Sequence, residues 1–155
     1  MPRKKSVTAT SDPMQVDSGS TASAIGAVSE GLTLLESARR GDVALVKKLI
    51  ESGLDVNLPD DRFVYYGMTP LMWACDSGHV PVVNYLLSVP GININQVDGI
   101  TGRTALHYAA IRNYKEICDI LIKANIDTSI KTVLNHTAED MAYLRGQHES
   151  LEVLK

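Results

Sequence analysis

The sequence predicts an all-α solenoid: about four helix-turn-helix units stacked side by side, preceded by a disordered tail. Three observations predict it. Apolar residues and punctuating glycines return at offsets of 33 to 37 residues, the mark of a repeat architecture. Thr or Thr-Pro opens a short apolar stretch, and Gly or Asn closes it, at matching places in successive units. The composition also changes near residue 30, from Ser/Thr-rich and Leu-free chain to ordinary globular chain.

Residues 1–30 hold nine Ser or Thr, no Leu and no aromatic residue, which gives the expectation of disorder. The basic start, Arg3-Lys4-Lys5, reads mainly as solvated charge, with a weak nuclear-import signal or a phosphate contact as the alternatives. Residues 31–155 read as one domain with units at about 31–66, 67–101, 102–134 and 135–155. A domain of this size buries a core without disulfides or metal.

In the first unit, Leu34, Ala38 and Gly41-Asp42 stand 37 residues before Leu71, Cys75 and Gly78-His79. Val46, Leu49 and Ile50 likewise precede Val83, Leu86 and Leu87. Glu36 and Lys47-Lys48 suit the solvated face of an end unit. In the second unit Thr69 is placed to cap a helix and Pro70 fits its first position, where no donor is needed. Gly78 stops that helix in the left-handed conformation, and Val82, Val83, Leu86 and Leu87 share one face of the next. The third unit repeats this at an offset of 35, with Thr104, Leu106, Ala109 and Asn113, then Ile117-Cys118 and Leu121-Ile122. The fourth repeats it at 33, with Thr137-Ala138, Ala142 and Gly146, then Leu151 and Leu154. Because the sequence stops at Lys155, its second helix is expected to be short. Ala38, Ala74, Cys75, Ala109, Ala110 and Ala142 are small enough for the first helices to approach closely.

These residues resemble the ankyrin repeat family. Thr69-Pro-Leu-Met-Trp-Ala74 and Thr104-Ala-Leu-His-Tyr-Ala109 each match the family's Thr-Pro-Leu-His-x-Ala opening except at one position. Gly53-Leu-Asp-Val-Asn57 and Gly91-Ile-Asn-Ile-Asn95 are similar to its unit ends. The resemblance implies that His107 bonds within the turn network, and that Met72, in the equivalent place, leaves a weaker one. It also implies that His79 marks a Gly-His turn.

Charge and motif content exclude several classes. The domain carries 12 basic against 15 acidic residues, without the cationic surplus of a nucleic-acid binder. Such acidity fits a protein partner, a basic one among them. The longest apolar run, Leu71–Cys75, is too short to span a bilayer, and no membrane partner is expected. Cys75 and Cys118 read as two free buried thiols in an intracellular chain, cytoplasmic or nuclear. The four histidines lack ligand spacing, and Gly99-Ile-Thr-Gly102 lacks the Lys of a phosphate loop. No catalytic residue, metal or cofactor is therefore expected, and a monomer is.

The resemblance implies β-hairpin-like finger loops, and a concave face built from them and the exposed side of the first helices. Carried over by position, it comprises Arg39 and Arg40; Tyr65, Tyr66, Met68, Asp76 and Ser77; and Ile100, Thr101, Arg103, Ile111 and Arg112. Trp73 and Tyr108 follow the His position, either as partner anchors or packed between neighbouring first helices. The first finger is about four residues longer than the regular unit supplies, and it carries Phe63, Val64, Tyr65 and Tyr66. It reads as a contact element in preference to a loop folded back over the gap between units. The second finger is longer by about two. The expected function is reversible protein binding, as adaptor, scaffold or masking protein. The alternatives are an escort or assembly factor for a basic client and a regulatory subunit of an enzyme.

Overall fold

The computed structural model describes Gly26 and residues 29–155. The tail reading, including Arg3-Lys4-Lys5, lies outside the described residues except at Gly26, Ser29 and Glu30, which are helical. Helix α1 runs through 29–40 and pairs with α2 (Val43–Glu51). The second pair is α3 (Pro70–Ser77) and α4 (Val80–Ser88). The third is α5 (Ala105–Ile111) and α6 (Lys115–Lys123), and the fourth is α7 (Ala138–Leu144) and α8 (His148–Leu154). The described residues are all-helical, with no strand.

The units stack as the repeat predicts. Inner helices α3, α5 and α7 pack in succession, and outer helices α2, α4, α6 and α8 do the same. All six small residues expected at the inner contacts are fully buried. Their size lets the inner helices close together, while Val46, Val82, Val83, Leu86, Ile117 and Leu121 fill the layer between inner and outer rows. At seven residues, α8 is shorter than α4 and α6.

Local chemistry sets each helix boundary. The Thr69 hydroxyl accepts from the Met72 N–H at 3.3 Å, and Pro70 follows at the first position. Gly41, Gly78 and Gly146 have φ of 84°, 80° and 68°, and Asn113 takes the same conformation at 63°. The helix stop at Gly78 also serves packing, since a Cβ there would strike the Tyr114 ring of the next unit.

The capping networks differ by unit. In the third, the Thr104 N–H donates to Nδ1 of His107 at 3.1 Å. Nε2 of His107 therefore carries the proton and donates to the His136 carbonyl at 3.1 Å. Burial lowers the His107 pKa and outweighs the opposing effect of that carbonyl, which keeps the ring neutral as this arrangement requires. Asp140 takes over the role in the last unit, accepting from the Thr137 N–H at 2.8 Å. Met72 has no acceptor for this purpose and contributes buried apolar volume instead.

Neighbouring units are also tied by side chains. Asn57 accepts from the Asn93 N–H at 2.7 Å and donates to the Gly91 carbonyl. Asn95 accepts from the Asp127 N–H at 2.8 Å. His79 bonds the Arg39 carbonyl at 2.8 Å, and Gln147 donates to that of Ile111 at 2.9 Å.

Candidate functional site

Each finger is a hairpin closed by backbone bonds rather than by a strand ladder. The Asp60 N–H donates to the Met68 carbonyl, that of Asp98 to Arg103, and that of Thr132 to His136, at 2.8, 2.9 and 2.9 Å. The paired residues are thus eight, five and four positions apart. Relative to the third finger, the first is four residues longer, as expected, and the second is longer by one rather than two. The additional residues of the first finger form a 3-10 turn, Phe63–Tyr65. Adjacent fingers bond each other through Gly99 N–H to the Tyr66 carbonyl and Val133 N–H to the Thr101 carbonyl, both at 2.9 Å. The row of tips is therefore continuous.

A buried carboxylate organises each of the first two fingers. Asp60 is fully buried and accepts from the Arg62 guanidinium at 2.6 and 2.9 Å and from the Trp73 indole N–H at 3.3 Å. Asp98 accepts from the N–H groups of Ile100, Thr101 and Arg103 at 2.8, 2.6 and 3.1 Å. It accepts as well from the hydroxyls of Thr101 at 2.6 Å and Tyr108 at 2.9 Å. Burial pushes both carboxyl pKa values up, but the donors prevail and hold them below the usual range: Arg62 and Trp73 at Asp60, and chiefly Thr101 and Ile100 at Asp98. Burial and the adjacent Asp98 raise the Tyr108 phenol above its ordinary value. Trp73 and Tyr108, 35 residues apart, thus do the same thing: each locks its own finger onto its inner helix.

Between the first two fingers and the inner helices lies an open cavity of about 330 Å³. It brings together eleven of the fifteen residues expected on the concave face: Tyr65, Tyr66, Met68, Trp73, Asp76, Ile100, Thr101, Arg103, Tyr108, Ile111 and Arg112. Arg39, Arg40, Phe63 and Ser77 do not line it. Arg39 is held by Glu36 at 2.8 Å, and Phe63 is 92% exposed at the tip of the finger. Met68, Trp73 and Ile111 are largely buried, so they form the floor. Tyr65, Tyr66 and Ile100 are 40%, 56% and 50% exposed and stand at the surface. The Tyr65 ring meets Trp73 edge-on at 4.9 Å and lies 5.0 Å from the Arg62 guanidinium. Arg112 reaches across from α5 to Asp76 on α3, with two bonds of 2.9 and 3.1 Å.

Two lining residues escaped the sequence reading, Asp98 and Arg145, while Val64 lines the cavity as part of the finger read as a contact element. Asp98 and Arg145 gave no signal, because an Asp in a turn and an Arg past a helix end look like ordinary solvated residues. Glu36, read as a solvated end-unit residue, instead bridges Arg39 and Arg62 and ties α1 to the first finger. Further exposed apolar residues, Val133 and Leu134 on the third finger and Tyr143 and Leu144 at the end of α7, were not anticipated.

Both cysteines are free and buried. Burial raises the Cys75 thiol well above its ordinary value and pushes Cys118 up to about 11. Among the described residues, no helix is long and apolar enough to cross a membrane.

Comparison with known proteins places these features in context. The family model of ankyrin repeats in three copies matches residues 34–132 and again 91–155. A probable E3 ubiquitin-protein ligase of Oryza sativa subsp. japonica, XBOS33, is 43% identical over 48% of this chain and 13% of its own length. The E3 ubiquitin-protein ligase XBAT33 of Arabidopsis thaliana is 39% identical over 61% of this chain and 17% of its own. The human ankyrin repeat domain-containing protein 40 is 48% identical over 35% of this chain and 14% of its own. The chain spans less than a fifth of each of these three relatives.

Proposed function

Because the chain belongs to the ankyrin repeat family and its repeats indicate a protein-protein interaction module, we propose that residues 31–155 bind a partner protein reversibly on the concave face, as a non-enzymatic adaptor or masking protein. The observation that carries this reading is the convergence of Tyr65, Tyr66, Ile100, Arg103 and Arg112 on one cavity between two fingers that are themselves locked in place. Exposed aromatic and Arg side chains are the usual anchors of interfaces, since they bury much area with few rotors and present fork-like donors. Fingers fixed by Asp60 and Asp98 lose little ordering entropy on binding. A face of this kind supplies the ~800 Å² per partner of a standard interface.

Binding rather than catalysis is supported by what the cavity offers. Its carboxylates, Asp76 and Asp98, already serve Arg112 and the second finger. The thiols lie elsewhere, buried and protonated at neutral pH. In the cell, such a protein works by presentation: it bridges its partner to something else, or covers the partner's surface.

Substituting Tyr65→Ala, Tyr66→Ala and Arg112→Ala together is expected to reduce partner capture to background in quantitative affinity purification from cells. An Asn84→Ala, Glu116→Ala variant on the outer helices should capture normally, since both residues are exposed away from the fingers. The triple variant should still fold, losing about 1–2 kcal/mol for the Tyr65–Trp73 ring pair and the partly exposed Arg112–Asp76 ion pair. Equal capture by the two variants would remove the proposal.

A further inference from the structure

We propose that the cavity receives one carboxylate side chain of the partner, flanked by an apolar residue, so that the protein selects an acidic segment. This rests on the concave-face reading and specifies its partner. The evidence is the state of the three guanidinium groups that line the cavity. Arg112 is committed to Asp76 through two bonds. Arg103 is not committed among the described residues: its backbone N–H serves Asp98, but its side-chain Nε is buried without any hydrogen-bond partner there. A buried guanidinium N–H without an acceptor is uncommon and costly, and an incoming anion that draws the side chain into the cavity relieves it. The Arg103 guanidinium lies 5.8 Å from the Tyr108 ring centroid, which orients its planar fork. Arg145, exposed just past α7, also lines the cavity and makes no ion pair among the described residues.

Charge counting then selects the anion. Arg103, Arg112 and Arg145 face Asp76 and Asp98 in the same cavity, leaving one net positive charge. A carboxylate monoanion cancels it. A phosphate, at about −1.5 to −2, overshoots, and an ammonium group adds to the surplus. Asp98 has no acceptor site left for the Arg103 side chain, because five donors already occupy its two oxygens. The rim supplies the apolar half of the site: Val64, Tyr66 and Ile100, each at least half exposed, form a wall beside the guanidinium fork. The volume of about 330 Å³ suits one or two side chains. The domain-wide acidity that pointed to basic partners is thus reversed locally, where contact is made.

The test uses the full chain and pools of nine-residue peptides. The central position is fixed as Asp, Glu, Asn, Gln, Lys or phosphoserine, and the flanking positions are mixed Leu, Val, Tyr and Ala. Fluorescence polarisation is expected to show the Asp and Glu pools binding at least about tenfold more tightly than the Asn and Gln pools, the scale of one charge-assisted fork. Arg103→Gln and Arg145→Gln should each shrink that ratio, while circular dichroism reports an unchanged fold. Equal binding of acid and amide pools, no binding of any pool, tightest binding of Lys or phosphoserine, or a ratio intact in Arg103→Gln overturns the inference. Failure here with continued loss of partner in the Tyr65, Tyr66 and Arg112 variant sinks the acidic segment and leaves the concave-face reading standing.

Discussion

Replacing Leu86 or Leu121 with Ala is expected to lower the unfolding free energy by about 2–5 kcal/mol. Both side chains are fully buried between the inner and outer rows of helices. Each unit has only two short helices, none of which can bury its apolar face alone. A cavity at Leu86 therefore loosens α4 from α3 and also from the outer helices on either side, α2 and α6. Urea unfolding followed by circular dichroism measures the loss, with Asn84→Ala as a surface control expected to stay within about 0.5 kcal/mol. Since a domain has only about 5–15 kcal/mol in hand, the larger value would leave a substantial unfolded population at 37 °C. A loss below about 1 kcal/mol at both positions would mean that the stack is not what holds the chain together.

The second large effect is expected at Asp98. Asp98→Ala removes the acceptor of five hydrogen bonds at once. Bonds to a charged acceptor are worth about 1.5–3 kcal/mol each, but they do not add and some released donors will find water. A net loss of about 2–4 kcal/mol follows. The functional consequence exceeds the thermodynamic one. Without Asp98 the second finger loses its tether to Tyr108, and the wall formed by Ile100 and Thr101 is no longer fixed. Partner binding should therefore fall more than stability does, and cooling the variant until it is fully folded should not restore it. Asp98→Asn keeps one oxygen for the Ile100 and Thr101 N–H groups but turns a donor toward the Tyr108 hydroxyl, so an intermediate loss is expected. Full binding by a folded Asp98→Ala variant would show that finger order is irrelevant to recognition.

Much of this fold was legible because local chemistry decides it. Thr69 and Thr137 cap their helices, and Gly41, Gly78, Gly146 and Asn113 end them in the left-handed conformation. Small residues at a fixed offset had to be inner contacts, and Ala74, Ala109 and Ala142 are. The weaker turn network expected at Met72 corresponds to a side chain that cannot accept the bond His107 and Asp140 accept.

The site was legible only in outline. Position in the repeat located most of the cavity lining, but not what each residue does there. Trp73 and Tyr108 allowed two readings from sequence, partner anchor or interhelical packing, and the structure gives each a further role, bonding to Asp60 and Asp98. Those carboxylates lie 13 and 10 residues upstream in irregular loops. No periodicity connects a loop residue to a helix residue across such variable lengths, so the pairing emerges only with the fold. Glu36 shows the same limit: an acidic residue on an end helix looks solvated until Arg62 arrives from a distant loop. The state of Arg103, oriented over Tyr108 with its Nε unanswered, is likewise a property of the assembled fingers.

Site-specific photocrosslinking tests the central claim most directly. A photoreactive phenylalanine analogue replaces Tyr66 at the rim of the cavity in one sample and Asn84 on the outer helix α4 in another. Both are irradiated in cells, and partner adducts are quantified by mass spectrometry. The account predicts that Tyr66 yields a discrete partner adduct whose crosslinked peptide carries Asp or Glu next to an apolar residue, while Asn84 yields none. Adducts from Asn84 with none from Tyr66 would contradict it.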